Sequence, residues 1–326
     1  MKPAIFVFAS ALLLLSGVMS AQAAGTGLIF VSTEKGNEVV VLDPAYNIIK
    51  RIATARRPRD MHFNADKTLI YVACGDDDTI DVIDVASLQV VDSVPTGPSP
   101  EVFAFTPDGK TILVSNEENS ALEAIDLASG ETTADIPTGA EPEGVLVTPD
   151  GQTAYVTSEV ADMVHVVDIA ASAITKNIVV GTRPRRFILT PDGSELWVSC
   201  ELSSEIFIID PATGTVKGDS LVFVPPGFRQ EDVTPVGMAI TRDGSKVLVS
   251  LGRANHIAIV DAKSHAVLNY VLVGQRAWSV DLSRDEKTAI VANGLSDDIT
   301  IIDMTSMEPV RSVPIGRVPH TVLIDD

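Results

Sequence analysis

The sequence has little cysteine and lacks several motifs that commonly carry catalysis. Its 326 residues include only two cysteines, Cys74 and Cys200. They lie at the same position of a repeated unit described below, three units apart, and this separation exceeds the ~4.4–6.8 Å between Cα atoms that a disulfide allows. We therefore expect two free thiols, mostly buried. The sequence contains no Cys-x-x-Cys-His haem motif, no Gly-x-Ser-x-Gly nucleophile elbow and no phosphate-binding glycine loop.

Basic residues are scarce relative to acidic ones. The chain has 24 lysines and arginines against 44 aspartates and glutamates, which gives a formal net charge of −20 at pH 7. Such a surface repels nucleic acid and anionic lipid, so neither is expected as a partner. The charge favours solubility, and it also suits a cationic partner. The five histidines are scattered without the spacing of metal ligands, and the sequence predicts neither a metal site nor a bound cofactor.

Long apolar runs are also missing, except at the N-terminus. There Lys2 precedes an apolar run over residues 4–18 and the small residues 21–23. This pattern is typical of a secretory signal peptide, and the run is too short to remain as a membrane anchor. We expect residues 1–23 to be a signal peptide and residues 24–326 to be the folded domain. The protein is then exported, to the periplasm in a Gram-negative source, without membrane insertion.

The rest of the chain consists of one repeated unit, which is clearest over residues 144–184. Short runs rich in Val and Ile alternate there with Pro, Gly and Asp, a pattern that predicts short strands joined by tight turns. The third strand of each unit ends on an aspartate, and the fourth usually leads into Gly-x-x-Pro. The aspartates, spaced 41, 42, 42, 42, 51 and 42 residues apart, are Asp43, Asp84, Asp126, Asp168, Asp210, Asp261 and Asp303.

Seven all-β units predict a seven-bladed β-propeller of four-stranded antiparallel blades, because each unit can bury its faces only against its neighbours. Residues 28–32 match the second strand of a unit, and residues 319–324 match the first. We therefore expect the two ends of the chain to complete one blade and close the ring. Features common to most units, such as the strand-end aspartates and the Pro-Asp-Gly turns, are assigned to the fold.

Departures from the repeat are where a site is expected. The residue after the proline marker, or its equivalent, varies around the ring: Arg59, Glu101, Glu143, Arg185, Val236, Trp278 and His320. The residue after the second strand also varies: Glu34, Gly75, Glu117, Glu159, Glu201, Gly252 and Gly294. Both positions are expected at one mouth of the central channel, where the three glycines would leave an arc open to a ligand. Arg57, Arg183 and Arg186 are expected on the same face.

These residues predict a candidate ligand site at the channel mouth. Its members are Arg57, Arg59, Glu101, Glu117, Glu143, Glu159, Arg183, Arg185, Glu201, Trp278 and His320. Two interpretations are open. The charges could form an ion-pair network that closes the channel, or forked guanidinium groups could clamp the carboxylate of an anionic or polar ligand. In the second, His320 would supply an acid/base group and Trp278 a stacking face.

The fifth unit is nine residues longer than the others, with the excess around residues 223–231. Long loops on a rigid scaffold often carry function. We expect this loop on the same face as the arginines, as a lid or a partner-docking segment with Phe223, Phe228 and Arg229 as its candidate contacts. A tolerated insertion is the alternative.

The repeat resembles a known family. Its Val-x-Val-x-Asp strands and Gly-x-x-Pro loops resemble the YVTN-type β-propeller repeat, as do LIYVA (residues 69–73), AYVTS (154–158) and LWVS (196–199). Seven such repeats behind a signal peptide are similar to the secreted propeller associated with alcohol catabolism dependent on pyrroloquinoline quinone (PQQ). The resemblance implies an accessory role in quinoprotein-linked oxidation. It does not imply the dehydrogenase, a larger and tryptophan-rich eight-bladed propeller, since this chain has two tryptophans.

The sequence therefore predicts an exported, monomeric, non-catalytic propeller that binds a small anion or a periplasmic redox protein. The alternative is a lactonase- or lyase-like enzyme with its site at the channel mouth, which would use His320 or a glutamate as general base, with or without a divalent metal. A third hypothesis makes the ring a rigid disc that contacts a partner through the fifth-unit loop.

Overall fold

Seven antiparallel sheets form the blades of a closed ring in the structure, a computed structural model that describes residues 25–326. The seven-bladed β-propeller predicted from the repeat is confirmed. The predicted signal peptide and its cleavage site lie outside the described residues. Helix within residues 25–326 is limited to a single 3-10 turn, Gln230–Asp232. No helix in this range is long and apolar enough to cross a membrane.

The strands are numbered in chain order. Blade 1 contains β1 (Leu28–Thr33), β2 (Glu38–Leu42) and β3 (Ile48–Ala53). Blade 2 contains β4 (Pro58–Phe63), β5 (Leu69–Cys74), β6 (Thr79–Asp84) and β7 (Gln89–Pro95). Blade 3 contains β8 (Pro100–Phe105), β9 (Thr111–Asn116), β10 (Ala121–Asp126) and β11 (Glu131–Pro137). Blade 4 contains β12 (Pro142–Val147), β13 (Thr153–Ser158), β14 (Met163–Asp168) and β15 (Ala173–Val179). Blade 5 contains β16 (Pro184–Leu189), β17 (Leu196–Cys200), β18 (Glu205–Asp210), β19 (Thr215–Val216) and β20 (Leu221–Val222). Blade 6 contains β21 (Met238–Ile240), β22 (Lys246–Ser250), β23 (His256–Asp261) and β24 (Val267–Leu272). Blade 7 contains β25 (Ala277–Leu282), β26 (Thr288–Asn293), β27 (Asp298–Asp303) and β28 (Glu308–Pro314). The last strand, β29 (Pro319–Asp325), belongs to blade 1.

The repeated turns follow from local side-chain chemistry. In the hairpin between β8 and β9, Asp108 Oδ1 accepts a hydrogen bond from the Thr106 hydroxyl at 2.7 Å and from the Lys110 N–H at 3.1 Å. Gly109 takes the left-handed backbone that this turn requires, with φ 67°. At the end of β10, Asp126 Oδ1 accepts the N–H groups of Ala128 and Ser129, an Asx-turn. Both motifs serve the fold, as their recurrence predicted.

The two ends of the chain close the ring within blade 1. Strand β1 pairs with β2 on one side and with β29 on the other, where Ile29 faces Ile324 and Val31 faces Val322. The predicted closure is therefore confirmed. Strand β29 joins the inner strands β4, β8, β12, β16, β21 and β25, which contact one another in that order around the channel.

Apolar layers between blades form the core. Seven clusters occur, one between each neighbouring pair of blades. Between blades 1 and 2, for example, Phe30 packs with Met61 and Ile70. Cys74 and Cys200 are free and buried in such layers, which confirms the expected free thiols. Burial raises the pKa of both, so neither is an activated nucleophile.

Candidate functional site

The inner strands begin with a bulge that frees their first side chains from the sheet. Pro184 pairs with Cys200, but the next pair in the register is Phe187 with Val198, so two residues of β16 lie opposite one residue of β17. Strands β4, β8 and β12 have the same interruption. A bulge of this kind re-aims side chains. It directs the residue after each proline to the channel instead of the layer between blades.

The turn before each inner strand is tied to the preceding blade. Arg183, directly before Pro184, has left-handed backbone with φ 59° and donates its N–H to Asp162 Oδ1 at 3.0 Å. Arg57, with φ 60°, donates its N–H to Asn37 Oδ1 at 3.1 Å. The short side chains of Asp162 and Asn37 thereby hold both arginines beside the residues that follow the prolines.

Arginine and glutamate side chains fill the channel mouth as one ion-pair network. At its centre, Glu143 lies 2.5 Å from Arg186, 3.2 Å from Arg185 and 3.7 Å from Arg59, measured between nitrogen and oxygen. Glu101 of the neighbouring blade also contacts Arg59. The mouth therefore combines charges from blades 2, 3, 4 and 5.

The network continues on both flanks of this centre. Arg185 also contacts Glu159. The other flanking pairs are Arg57–Glu101 (2.5 Å), Arg57–Glu117 (3.8 Å), Arg183–Glu159 (2.7 Å), Arg183–Glu201 (3.5 Å), Arg185–Glu201 (3.7 Å) and Arg276–Glu201 (2.5 Å). Each of these arginines contacts at least one glutamate. Arg253, exposed in the turn after β22 and tied by its N–H to Thr234, has no such partner among the described residues.

Burial and charge together set the ionisation of the central groups. Glu101, Glu143, Arg59 and Arg185 are all buried. Burial works to raise the pKa of Glu143, but Arg185 and Arg186 outweigh it and hold that pKa well below its ordinary range. Burial lowers the pKa of Arg59, and the carboxylates of Glu101 and Glu143 more than restore it. Burial raises the pKa of Glu101 to about 8, against the opposing charge of Arg59. The Glu143 carboxylate and the guanidinium groups around it are therefore the charges that compensate one another in this dry environment.

His320 and Trp278 border the network without joining its ion pairs. His320 Nε2 accepts hydrogen bonds from Arg59 Nε and Nη2, both at 3.3 Å. Burial and the positive charge of Arg59 lower the pKa of His320 well below its ordinary value, so the imidazole is neutral. The guanidinium group of Arg276 lies over the Trp278 ring, 4.2 Å from the centroid of the ring, and forms a cation–π contact with it. One face of the indole is therefore occupied by the protein itself.

The open arc predicted at the three glycines is wrong. A Cβ atom at Gly75 would lie 2.7 Å from Arg57 Nη1, and one at Gly294 would lie 2.4 Å from Trp278 Nε1. At Gly252 it would lie 2.2 Å from Thr234 Oγ1. Side chains at the start of the inner strand, or in the turn before it, occupy the space that each glycine leaves. The glycines allow close packing at the mouth and provide no room for a ligand.

The comparisons with known proteins agree with this fold. A family model for YNCE-like beta-propellers matches residues 77–152 and 237–326, which make up half of the chain. The chain belongs to the YNCE-like beta-propeller family. No curated protein matches this YNCE-like propeller in sequence.

Solved structures of several other proteins share the fold of this YNCE-like propeller. Hydrazine synthase of Kuenenia stuttgartiensis is 22% identical, with a TM-score of 0.76, over 90% of this chain and 99% of that one. The periplasmic gluconolactonase PpgL of Pseudomonas aeruginosa is 20% identical, with a TM-score of 0.77, over 92% and 99%. A functionally unknown protein of Desulfotomaculum acetoxidans is 17% identical, with a TM-score of 0.77, over 91% and 98%. At these identities the likeness concerns the fold alone.

The long loop of blade 5 in this YNCE-like propeller is anchored by its aromatic residues. Phe223 is completely buried in the core between blades 5 and 6, and Phe228 packs against that core with its ring 5.8 Å from His256. Arg229 is exposed and forms ion pairs with Glu231 and Asp232. Of the three predicted contacts, Arg229 alone is fully accessible to a partner. The function of the loop stays a prediction.

Two residues of the mouth were not predicted from the sequence. Arg276 occupies the position of Arg57 and Arg183, but Ala277 replaces the proline that marks this position in most units. Thr234 occupies it in blade 6, where its Oγ1 accepts a hydrogen bond from Arg276 Nη1 at 3.1 Å. Comparing the residue before each marker would have identified both. Arg186, the central partner of Glu143, was expected on this face of the channel but not as a member of the candidate site.

Proposed function

We propose that this chain is an exported, non-catalytic propeller that docks a protein partner on its channel-mouth face. The observation that carries the proposal is the closed ion-pair network. Because buried arginines and glutamates pair with one another across four blades, the mouth offers a rigid surface and not a pocket for chemistry. The signal-like N-terminus supports export.

The rim of the mouth carries an apolar patch that suits docking. The turn after the second strand holds Val160 in blade 4 and Leu202 in blade 5, which are 63% and 50% exposed. Both line a depression of about 300 Å³ that Glu141 and Asp162 also border. Most other blades have a charged residue at this position, for example Lys35 and Glu118 in blades 1 and 3. Exposed aliphatic side chains flanked by carboxylates favour a partner with an apolar side chain set among basic residues.

Capture of periplasmic proteins by the immobilised propeller tests this proposal. The paired change Val160→Asp and Leu202→Asp should abolish capture of a specific partner, and added salt should weaken capture by the parent protein. The matched control is the pair Val91→Asp and Val310→Asp, on outer strands and about as exposed, which should leave capture unchanged. Equal capture by all variants would contradict docking at the mouth.

A small anion at the mouth is the other binding mode. Arg57 and Arg183 are the guanidinium groups of the network that solvent reaches most, but both are already paired with glutamates. An anion bound to either of them would have to displace a carboxylate from a charge-assisted contact, which disfavours it there against a protein partner. Calorimetry with small polyanions, including the quinone cofactor, separates anion binding from protein docking. Anion binding would be lost in Arg183→Gln and kept in the variant with Val160→Asp and Leu202→Asp.

The finer proposal is an accessory role in PQQ-dependent alcohol oxidation. Its support is the resemblance of the repeat and of the predicted signal peptide to the secreted propeller of that system. A deletion strain should then grow poorly on alcohols and normally on sugars. The parent gene should restore growth on alcohols and the Val160/Leu202 variant should not, whereas equal growth on both carbon sources would remove this role.

A lactonase-like enzyme is the second candidate. The fold shared with the P. aeruginosa gluconolactonase favours it, together with an open cavity in the channel below the network. The catalytic site predicted at the mouth is disfavoured because His320 is buried against Arg59. In the described range no group of three or more His, Cys, Asp or Glu is placed to hold a metal ion. Acid release from lactones, followed by titration at constant pH, tests this candidate.

A further inference from the structure

The channel is not filled along its whole length. Below the network, away from the mouth, the inner strands of blades 1, 2, 5, 6 and 7 enclose a cavity of about 300 Å³. Its walls combine apolar side chains, such as Val236, Val280 and Val322, with a few polar ones. A cavity of this size lies at the lower end of the range for small-molecule sites. Its polar members belong neither to the repeat nor to the ion-pair network, with one exception, Arg186.

His62 presents an unpaired ring nitrogen to this cavity. It lies near the end of β4, and its side chain is 44% exposed although it lines the interior of the ring. Nε2 is hydrogen-bonded to Asp60 Oδ2 at 2.9 Å, and Asp60 is in turn fixed by the Phe103 N–H at 3.3 Å. Nδ1 makes no hydrogen bond to any described residue. Burial lowers the pKa of His62, but the Asp60 carboxylate prevails and raises it, which favours a protonated ring with Nδ1–H as donor.

Arg186 supplies a second donor on the same cavity. Its Nη1 donates to Glu143 at 2.5 Å, on the side of the network. Nε and Nη2 have no acceptor among residues 25–326, and the side chain lines the cavity. His62 and His320 line the same cavity as Arg186, so the three groups lie near one another.

Asp281 of β25 is the acceptor on this cavity. Oδ1 accepts the Leu282 N–H and Oδ2 accepts the Ile324 N–H, each at 2.9 Å. A carboxylate has further lone pairs beyond these two bonds. Asp281 is close enough to His62 to raise its pKa. Asp60 also lines the cavity, but it is engaged with His62 and the Phe103 N–H. The cavity therefore combines two charged donors with two carboxylates, of which Asp281 is the one not paired with His62.

We propose that this cavity binds a small hydroxy acid, whose carboxylate contacts Arg186 and His62 and whose hydroxyl group donates to Asp281. Arginine and histidine donors recognise a carboxylate through charge-assisted hydrogen bonds. The apolar walls and the limited volume select a short molecule. The site lies below the network, so the proposal is independent of partner docking at the rim.

Calorimetry with sodium gluconate tests the site, with sorbitol and hexanoate as comparison ligands. Gluconate has both the carboxylate and the hydroxyls, sorbitol lacks the carboxylate, and hexanoate lacks the hydroxyls. We expect gluconate to bind and both comparison ligands to bind about tenfold or more weakly. His62→Gln should weaken gluconate binding by about tenfold or more, since it removes a charged donor. Arg186→Lys, which keeps the charge opposite Glu143, should weaken it as well.

The Val160/Leu202 rim variant is the control that should bind gluconate like the parent. Circular dichroism melts establish that each variant is folded, and the ring proton signals of His62 in NMR spectra provide a readout that does not depend on heat. Three outcomes would overturn the proposal. They are the absence of gluconate binding by both methods, affinity unchanged in both His62→Gln and Arg186→Lys, and binding lost only in Arg183→Gln, which would assign the carboxylate to the mouth.

Discussion

Single residues at one repeated position determine which charges meet at the channel mouth. The position after the proline marker holds Arg59, Glu101, Glu143 and Arg185 in four consecutive blades, so charges of opposite sign meet in the interior. Burying such charges is costly, and a buried ion pair adds little net stability compared with apolar residues. Removing one partner is different, because it leaves the other charge buried and uncompensated.

Glu143→Gln is expected to destabilise the fold strongly. Glu143 contacts three arginines, and the neutral amide would leave their charges without its compensation. We expect a loss of about 3–5 kcal/mol in the free energy of unfolding, measured in urea. Glu231→Gln breaks only the exposed pair with Arg229 and serves as the control, with no measurable change expected. A loss for Glu143→Gln as small as in the control would mean that the network does not hold the mouth together.

Asp281→Asn is expected to change how stability depends on pH. Burial raises the pKa of Asp281 to about 6 from its ordinary 3.8. The folded state then holds this proton more tightly than the unfolded chain. The resulting stability is present at low pH, declines as the pH rises from about 4 to about 6, and is lost above that window.

Asparagine has no such titration. The melting temperature of Asp281→Asn relative to the parent should therefore rise between about pH 4 and about pH 7. The amide also loses one acceptor for a backbone N–H, but that cost does not vary with pH. A difference between the two proteins that stays constant over this range would contradict the buried, titrating carboxyl group.

The sequence alone allowed part of the site to be predicted at this scale. Comparing equivalent positions identified the charged residues that meet at the mouth, because a repeat places them on one face. It was wrong about Gly75, Gly252 and Gly294, since the side chains that fill their space come from distant positions in the chain. The His62–Asp60 pair was missed because neither residue belongs to a repeated marker and Arg186 lies three blades away. Contacts across the channel are not encoded in spacing along the chain.

Among the elements, β29 has a role that no other strand shares. It is the inner strand of blade 1 and lines the channel between β25 and β4. The other blades obtain their inner strand from a contiguous unit of the chain. This exception was predictable, because the terminal segments each match a part of one unit.

Deleting residues 319–326 is expected to open the ring. The deletion removes β29, exposes the edge of β1 and uncovers apolar surface on blades 2 and 7. An open strand edge pairs readily with other chains. We expect a lower and broader thermal transition together with association seen by size-exclusion chromatography. Removing Asp326 alone should change neither, and an unchanged melt in the longer deletion would refute closure by β29.

The long loop of blade 5 is expected to depend on its buried aromatic residue. Phe223 is enclosed between blades 5 and 6, so Phe223→Ala should cost about 3–5 kcal/mol in the free energy of unfolding. Arg229→Ala, in the exposed part of the loop, should leave stability unchanged. Chemical denaturation of both variants measures the contrast. Equal stability would show that the loop is not anchored by Phe223.

For the whole molecule, the repeat sufficed to predict the fold. Seven units of short strands can satisfy their apolar faces only in a ring, and the seven inter-blade clusters are the result. The binding partner does not follow in the same way. It depends on the few side chains that differ between units, such as Val160 and Leu202, whose effect appears only after the blades are assembled.

The pairing of β1 with β29 also fixes the order of events during synthesis. A ribosome makes the chain from its N-terminus, so the outer and middle strands of blade 1 exist long before their inner partner. Blade 1 can therefore be completed only after the strands of the other six blades have been made. Closure of the ring is thus a late step in folding, and β1 keeps an unpaired edge until that step.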